Sequence, residues 1–174
     1  MKPHSTQNIR ILQEPSLGFT LIEMMATLSI LAILTVVAVP KFQSLFANQG
    51  IKSATFDLLA DLTLARSEAI KRNANVDMKA SSCLGWQGGW KVMSGTTDLR
   101  THASMSGLSI LDSVNATNCT TPSVVTFNRV GRLASSAIIF TIDVSPSSTK
   151  VTPRCIKIDL GGRANSSLRQ GSGC

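Results

Sequence analysis

A chain of 174 residues with 17 Lys and Arg against 10 Asp and Glu carries a formal charge of +7. This length leaves room for one soluble domain with its own core beside an apolar anchor, and the positive balance favours polyanions or anionic surfaces as partners. Only His4 and His102 offer imidazole, and none of the four cysteines lies in a Cys-x-x-Cys pair, which argues against a zinc site and leaves no metal expected.

In chain order, residues 1–18 end in Gly18 of the segment Gly18-Phe19-Thr20-Leu21-Ile22-Glu23, and an apolar run follows to Val39. Residues 21–39 as a helix span ~28 Å at 1.5 Å per residue, enough to cross a bilayer core. An acid at mid-bilayer costs ~2.5–3.5 kcal/mol, so Glu23 at the head of this segment reads as a functional group in need of a partner. A secretory signal peptide places its apolar core before the cut. Here the small residue Gly18 comes first, and cleavage beside it leaves the anchor on the mature chain. As a helix-start charge, Glu23 also complements the macrodipole by ~0.3–1 kcal/mol.

The helix that starts at Phe19 is expected to continue to about Asn73, with a kink or a locally unwound turn at Pro40. Ile51, Ala54, Leu58, Leu62, Ala65 and Ala69 fall on one face. Ser53, Asp57, Asp61, Ser67, Glu68 and Lys71 fall on the other, which Phe56 and Leu64 interrupt as candidate contacts for neighbouring subunits. Glu68 and Arg72 have the favourable i, i+4 order. Asp57 and Asp61, one turn apart, read as surface charges.

From Val76 onward the apolar period changes to two. Candidate strands cover 75–80, 87–93, 107–111, 123–129, 137–144 and 154–161, separated by Gly88-Gly89, Thr121-Pro122, Gly131 and Ser145-Pro146. Residues 161–174, rich in Gly and Ser with Arg163 and Arg169 embedded, read as a loosely held tail. Cys83, Cys119, Cys155 and Cys174 allow three disulfide connectivities; nearest-neighbour pairing gives Cys83–Cys119 and Cys155–Cys174. No catalytic constellation is visible. His102 lies in a Ser/Thr-rich stretch without an obvious acid or nucleophile, Trp86 and Trp90 read as core residues, and there is no glycine-rich phosphate loop. The chain reads as a non-enzyme without a cofactor.

The Gly18-Phe19-Thr20-Leu21-Ile22-Glu23 segment with its apolar sequel resembles the prepilin signal of type IV pilins and type II secretion pseudopilins. The resemblance implies cleavage by a prepilin peptidase between Gly18 and Phe19 and N-methylation of Phe19. It also implies pairing of Glu23 with the N-terminal amine of an adjoining subunit, an attraction that grows in a low-dielectric bundle. The implied domains are a leader (1–18), a transmembrane and filament-core helix (19–40), its amphipathic second half (41–73), a periplasmic β domain (74–160) and a basic C-terminal tail (161–174). The implied fold is α+β: a long N-terminal helix packed on a small, mostly antiparallel sheet. Inner-membrane anchoring with a periplasmic body comes from the same resemblance.

Phe127-Asn128-Arg129-Val130-Gly131-Arg132 and the late strand running into Gly161-Gly162-Arg163 are similar to the GspH/FimT branch of minor pilins and pseudopilins. Its FimT members carry a DNA-binding Gly-Arg-x-Arg motif. Gly162 and Arg163 match the first half, whereas Asn165 stands where the second arginine belongs. Arginine forks suit phosphate oxygens, so Arg163 and Arg169, extended by Lys157, Arg154 and Lys150, are the expected DNA contacts. The reading is a minor pilin that joins other pilins in a filament and captures DNA for natural transformation, with a type II secretion pseudopilin as the alternative.

Overall fold

The computed structural model describes residues 18–82, 85–113, 122–148, 151–171 and 174, the side chains at 37 and 40 excepted. The chain divides into two compact units, Met1–Pro40 and Lys41–Cys174. A single helix assignment, α1 (Leu21–Arg72), runs through both. Position 40 remains within it, and the boundary between the units falls there.

In the first unit, α1 opens with a reciprocal cap. Thr20 Oγ1 accepts from Glu23 N at 3.3 Å, while Glu23 Oε2 accepts from Thr20 N at 2.8 Å. This Thr-x-x-Glu box satisfies two of the donors that a helix start leaves open. Beyond it Leu21, Ile22, Met25, Leu28, Leu31 and Leu34 are all exposed within the chain. Among the described residues no single helix is long and apolar enough to cross a membrane; Leu21–Val36 and Lys41–Arg72, a bent pair, have together the length and composition for it.

In the second unit α1 buries Ile51, Ala54, Leu58, Leu62, Ala65 and Ala69, the stripe that the 3.6-residue period picks out. It ends with Asn73 at φ 50°, where Ala74 N donates to Ala69 O and Asn73 N to Ile70 O, each at 3.2 Å. That is a Schellman stop with asparagine in the left-handed position.

Two four-stranded antiparallel sheets follow, built from β1 (Val76–Ala80), β2 (Trp90–Ser94), β3 (Thr97–His102), β4 (Leu108–Asp112), β5 (Val124–Phe127), β6 (Ile138–Val144), β7 (Arg154–Ile158) and β8 (Ala164–Leu168). Their orders are β3-β2-β1-β5 and β4-β6-β7-β8. Val76, Met78, Trp90, Val92, Val125 and Phe127 from the first sheet join Ile110, Ile138, Phe140, Ile142, Ile156 and Ile158 from the second and the helix stripe in one core.

Two elements depart from the sequence expectation. β3 was expected as loop: Thr97-Asp98-Leu99-Arg100-Thr101-His102 has no apolar alternation, yet its backbone pairs with β2 through the register Trp90↔His102 and Lys91↔Thr101. β8 lies inside the segment expected as a loose tail. It pairs with β7 (Lys157↔Asn165, Ile156↔Ser166), and a Cys155–Cys174 disulfide ties the residue beyond it back to β7. Both are edge strands, where the ladder alone places the chain. The Cys83–Cys119 pairing and Lys150 lie outside the described residues.

Candidate functional site

The assembly residues Phe19 and Glu23 sit at the head of α1, Phe19 87% exposed. Glu23 Oε2 also accepts from Thr20 Oγ1 at 2.9 Å, so its carboxylate is held at the helix start by the residue next to Phe19. A carboxylate so anchored has hydrogen-bond partners within the chain but no counter-charge among the described residues.

The four expected DNA contacts do not form one patch. Arg163 closes the β7–β8 hairpin, donating its backbone N–H to Asp159 Oδ1 at 2.9 Å. Lys157, exposed, faces outward opposite Asn165. Arg154 and Arg169 lie at the far end of β8, ~20 Å from Arg163 at ~3.3 Å per residue. There Arg154 pairs with Leu168, Arg169 N donates to Pro153 O at 3.0 Å, and the Arg169 side chain lines a hollow of about 300 Å3 beside Asp143.

The structure gathers a different group around Arg163. Gly131 and Gly162 both have positive φ (74° and 75°) and touch backbone to backbone, since a Cβ on Gly162 would collide with the Gly131 carbonyl oxygen. Only glycine allows both the left-handed backbone and the close approach. Arg66 on α1 lies over this junction, its Nε donating to Gly131 O at 3.0 Å. The turn Asn128–Arg132 is closed by Asn128 Oδ1, which accepts from Val130 N and Arg132 N, and it presents exposed Arg129 and Arg132. Sequence reasoning missed Arg66 as a site residue. Gly131 and Gly162 read as separate breakers, and nothing in their spacing says that they touch.

A second polar cluster corrects the surface reading of Asp61 and the isolated reading of His102. Asp61 is fully buried: Oδ2 accepts from Trp90 Nε1 at 2.7 Å, and Arg100 Nε stands 2.9 Å from Oδ1 as an ion pair without hydrogen-bond alignment. His102 stacks on the Trp90 ring with centroids 4.2 Å apart, and its Nε2 lies 3.6 Å from Asp57 Oδ2. These contacts pin α1 to β2 and β3. Trp86 is also buried, its Nε1 donating to Asp112 Oδ2 at 2.7 Å, so neither tryptophan offers a stacking surface.

Residues 54–162 match the family model described as Type II transport protein GspH, and residues 16–39 match the prokaryotic N-terminal methylation motif. No curated protein matches the chain. Among solved structures it is similar to the type IV minor pilin FimU of Pseudomonas aeruginosa PAO1 in two crystal forms. The P21 form gives 22% identity and a TM-score of 0.58 over 70% of this chain and 93% of that one. The P65 form gives 22% and 0.57 over 69% and 98%. At that identity the likeness shows the fold, a long N-terminal helix with antiparallel sheets.

Proposed function

Because this chain belongs to the GspH family, whose members are minor pilins and pseudopilins, we propose that it is a minor subunit of a type IV pilus. On this reading a prepilin peptidase of the inner membrane cuts between Gly18 and Phe19, Phe19 is N-methylated, and the second unit faces the periplasm until the subunit enters a filament of other pilins. The observation that carries it is the Thr20–Glu23 box at the head of an exposed apolar helix. In a low-dielectric helix bundle an unpaired carboxylate costs several kcal/mol, and the amine of a neighbouring Phe19 removes that cost only in one register. The same reading includes sequence-independent capture of DNA for transformation, supported by the basic balance and by the exposed Arg129, Arg132 and Arg163, which form no ion pair among the described residues.

Glu23→Val tests the assembly part. Membrane insertion is expected to be unchanged while incorporation into filaments falls to background; normal incorporation contradicts the registry role. The second reading, a type II secretion pseudopilin, is favoured by the name of the matching family. A deletion strain distinguishes the two: lost piliation and DNA uptake with intact protein secretion supports the pilus, and the reverse pattern supports the secretion system.

A further inference from the structure

The Gly131–Gly162 junction brings four arginines together from three segments: Arg66 on α1, Arg129 and Arg132 on the β5–β6 turn, and Arg163 on the β7–β8 hairpin. Among the described residues none of the four forms an ion pair. Asp159 has Oδ1 occupied by the Arg163 backbone N–H. Clustered, unneutralised guanidinium groups repel one another and concentrate positive potential at the surface.

Between Arg66 and Arg163 lies a pocket of about 230 Å3, lined also by Leu62, Thr63, Gly162 and Ala164. Ligand sites for drug-sized molecules run from about 300 to 1,000 Å3. This pocket is smaller, and two arginines at its rim suit a single oxyanion group. Arg66 Nε is committed to Gly131 O, which fixes the guanidinium plane and leaves its terminal nitrogens for a ligand. A fork fixed in this way loses little entropy on meeting phosphate.

We propose that Arg66 and Arg163 hold one backbone phosphate of duplex nucleic acid in this pocket, while Arg129 and Arg132 meet adjoining phosphates. The inference rests on the reading that the chain binds DNA; it keeps Arg163 of the expected contacts, leaves out Arg154 and Arg169 at the far end of β8, and adds Arg66, Arg129 and Arg132. Three observations select the ligand. Four arginines on three segments outnumber what one small anion needs. The exposed apolar neighbours are aliphatic (Val130, Leu160 and Ile70), and Phe127 is fully buried, so among the described residues no aromatic ring at the junction offers a surface on which unpaired bases stack. Arg66 lies ~38 Å along α1 from Lys41 at 1.5 Å per residue, which separates the cluster from the end of the unit that the anchor enters.

The test is a mobility-shift salt series with the full processed chain in detergent and a random-sequence duplex. Each of Arg66→Gln, Arg129→Gln, Arg132→Gln and Arg163→Gln is expected to reduce the slope of log affinity against log salt by about 0.9, independently of DNA sequence. Arg154→Gln and Arg169→Gln are expected to leave it unchanged. The exposed positions Arg129, Arg132 and Arg163 keep the test decisive if Arg66→Gln loosens the Gly131 turn. Unchanged slopes in the first set, with losses in the second, overturn the site and spare the DNA reading. Absence of duplex binding by the unaltered chain overturns both. Full competition by millimolar inorganic phosphate, or binding only to phosphatidylglycerol vesicles, overturns the nucleic-acid assignment.

Discussion

Asp61 is buried with an indole N–H and a guanidinium as its partners, and Trp90 carries His102 on its face. Removing one member of such a group leaves the others desolvated without compensation. Asp61→Ala is therefore expected to destabilise the second unit by about 1–3 kcal/mol in denaturant unfolding, from the orphaned Trp90 Nε1–H alone. Asp61→Asn, which keeps an acceptor, should cost less. Glu68 provides the pH-dependent contribution: the Arg72 guanidinium, donating to Oε2 at 2.6 Å, holds its carboxyl below the ordinary value against the opposing effect of burial, and Lys71 assists. A carboxyl lowered in the folded state stabilises fully above its unfolded value, about pH 4.3, and that stabilisation fades as pH falls through the folded value. The stability difference between the unaltered chain and Glu68→Gln should accordingly be constant near neutrality and vanish in acid, as read by unfolding across a pH series.

β8 has one half-buried and four exposed residues, so it gains almost nothing from burial and depends on its ladder to β7 and on the Cys155–Cys174 bridge. The bridge closes a sequence separation of 19 residues, worth ~3 kcal/mol in the chain-entropy account. Cys174→Ser is expected to lose stability of that order and to accelerate hydrogen exchange in β8 while leaving β6 protected. The same properties explain what could be read from the residues in advance. The stripe Ile51 to Ala69 and the alternation Ile138, Phe140, Ile142 are strong periodic signals and appear as buried faces. Thr97–His102 and Ala164–Leu168 have no apolar alternation, because an edge strand with both faces wet needs none. Asp61 was misplaced for a related reason. It falls at one margin of the buried arc of α1, beside Leu58 and Ala65, and whether a sheet covers that margin is decided by β2 and β3, far along the chain. The arginine cluster was illegible because it depends on a contact between two turns, Gly131 to Gly162, and on a helix side chain laid over both.

At the scale of the molecule, two surfaces are unsatisfied by the chain alone. The first unit presents apolar side chains on all sides of its helix, with one carboxylate at the head. A helix that is apolar all round is stable only among lipids or other helices. The second unit presents a junction of four arginines, none of them ion-paired among the described residues, with Asp159 bonded to the Arg163 backbone. On the proposed reading filament assembly answers the first and a polyanion the second, and the two are separable, since Glu23 and Arg163 belong to different units. A subunit proposed to move from bilayer to bundle keeps its apolar helix covered throughout, so on this reading the transfer turns on the single charge at its start.

On the proposed reading, processing at Gly18–Phe19 comes before all of this, because the amine proposed to pair with Glu23 does not exist until that bond is cut. Intact-mass and N-terminal peptide mass spectrometry of the protein purified from its native membrane or filaments measures it directly. The account predicts a chain that begins at Phe19 and carries one added methyl group on its amino nitrogen. A chain that retains residues 1–18, or begins beyond the apolar segment, would contradict it.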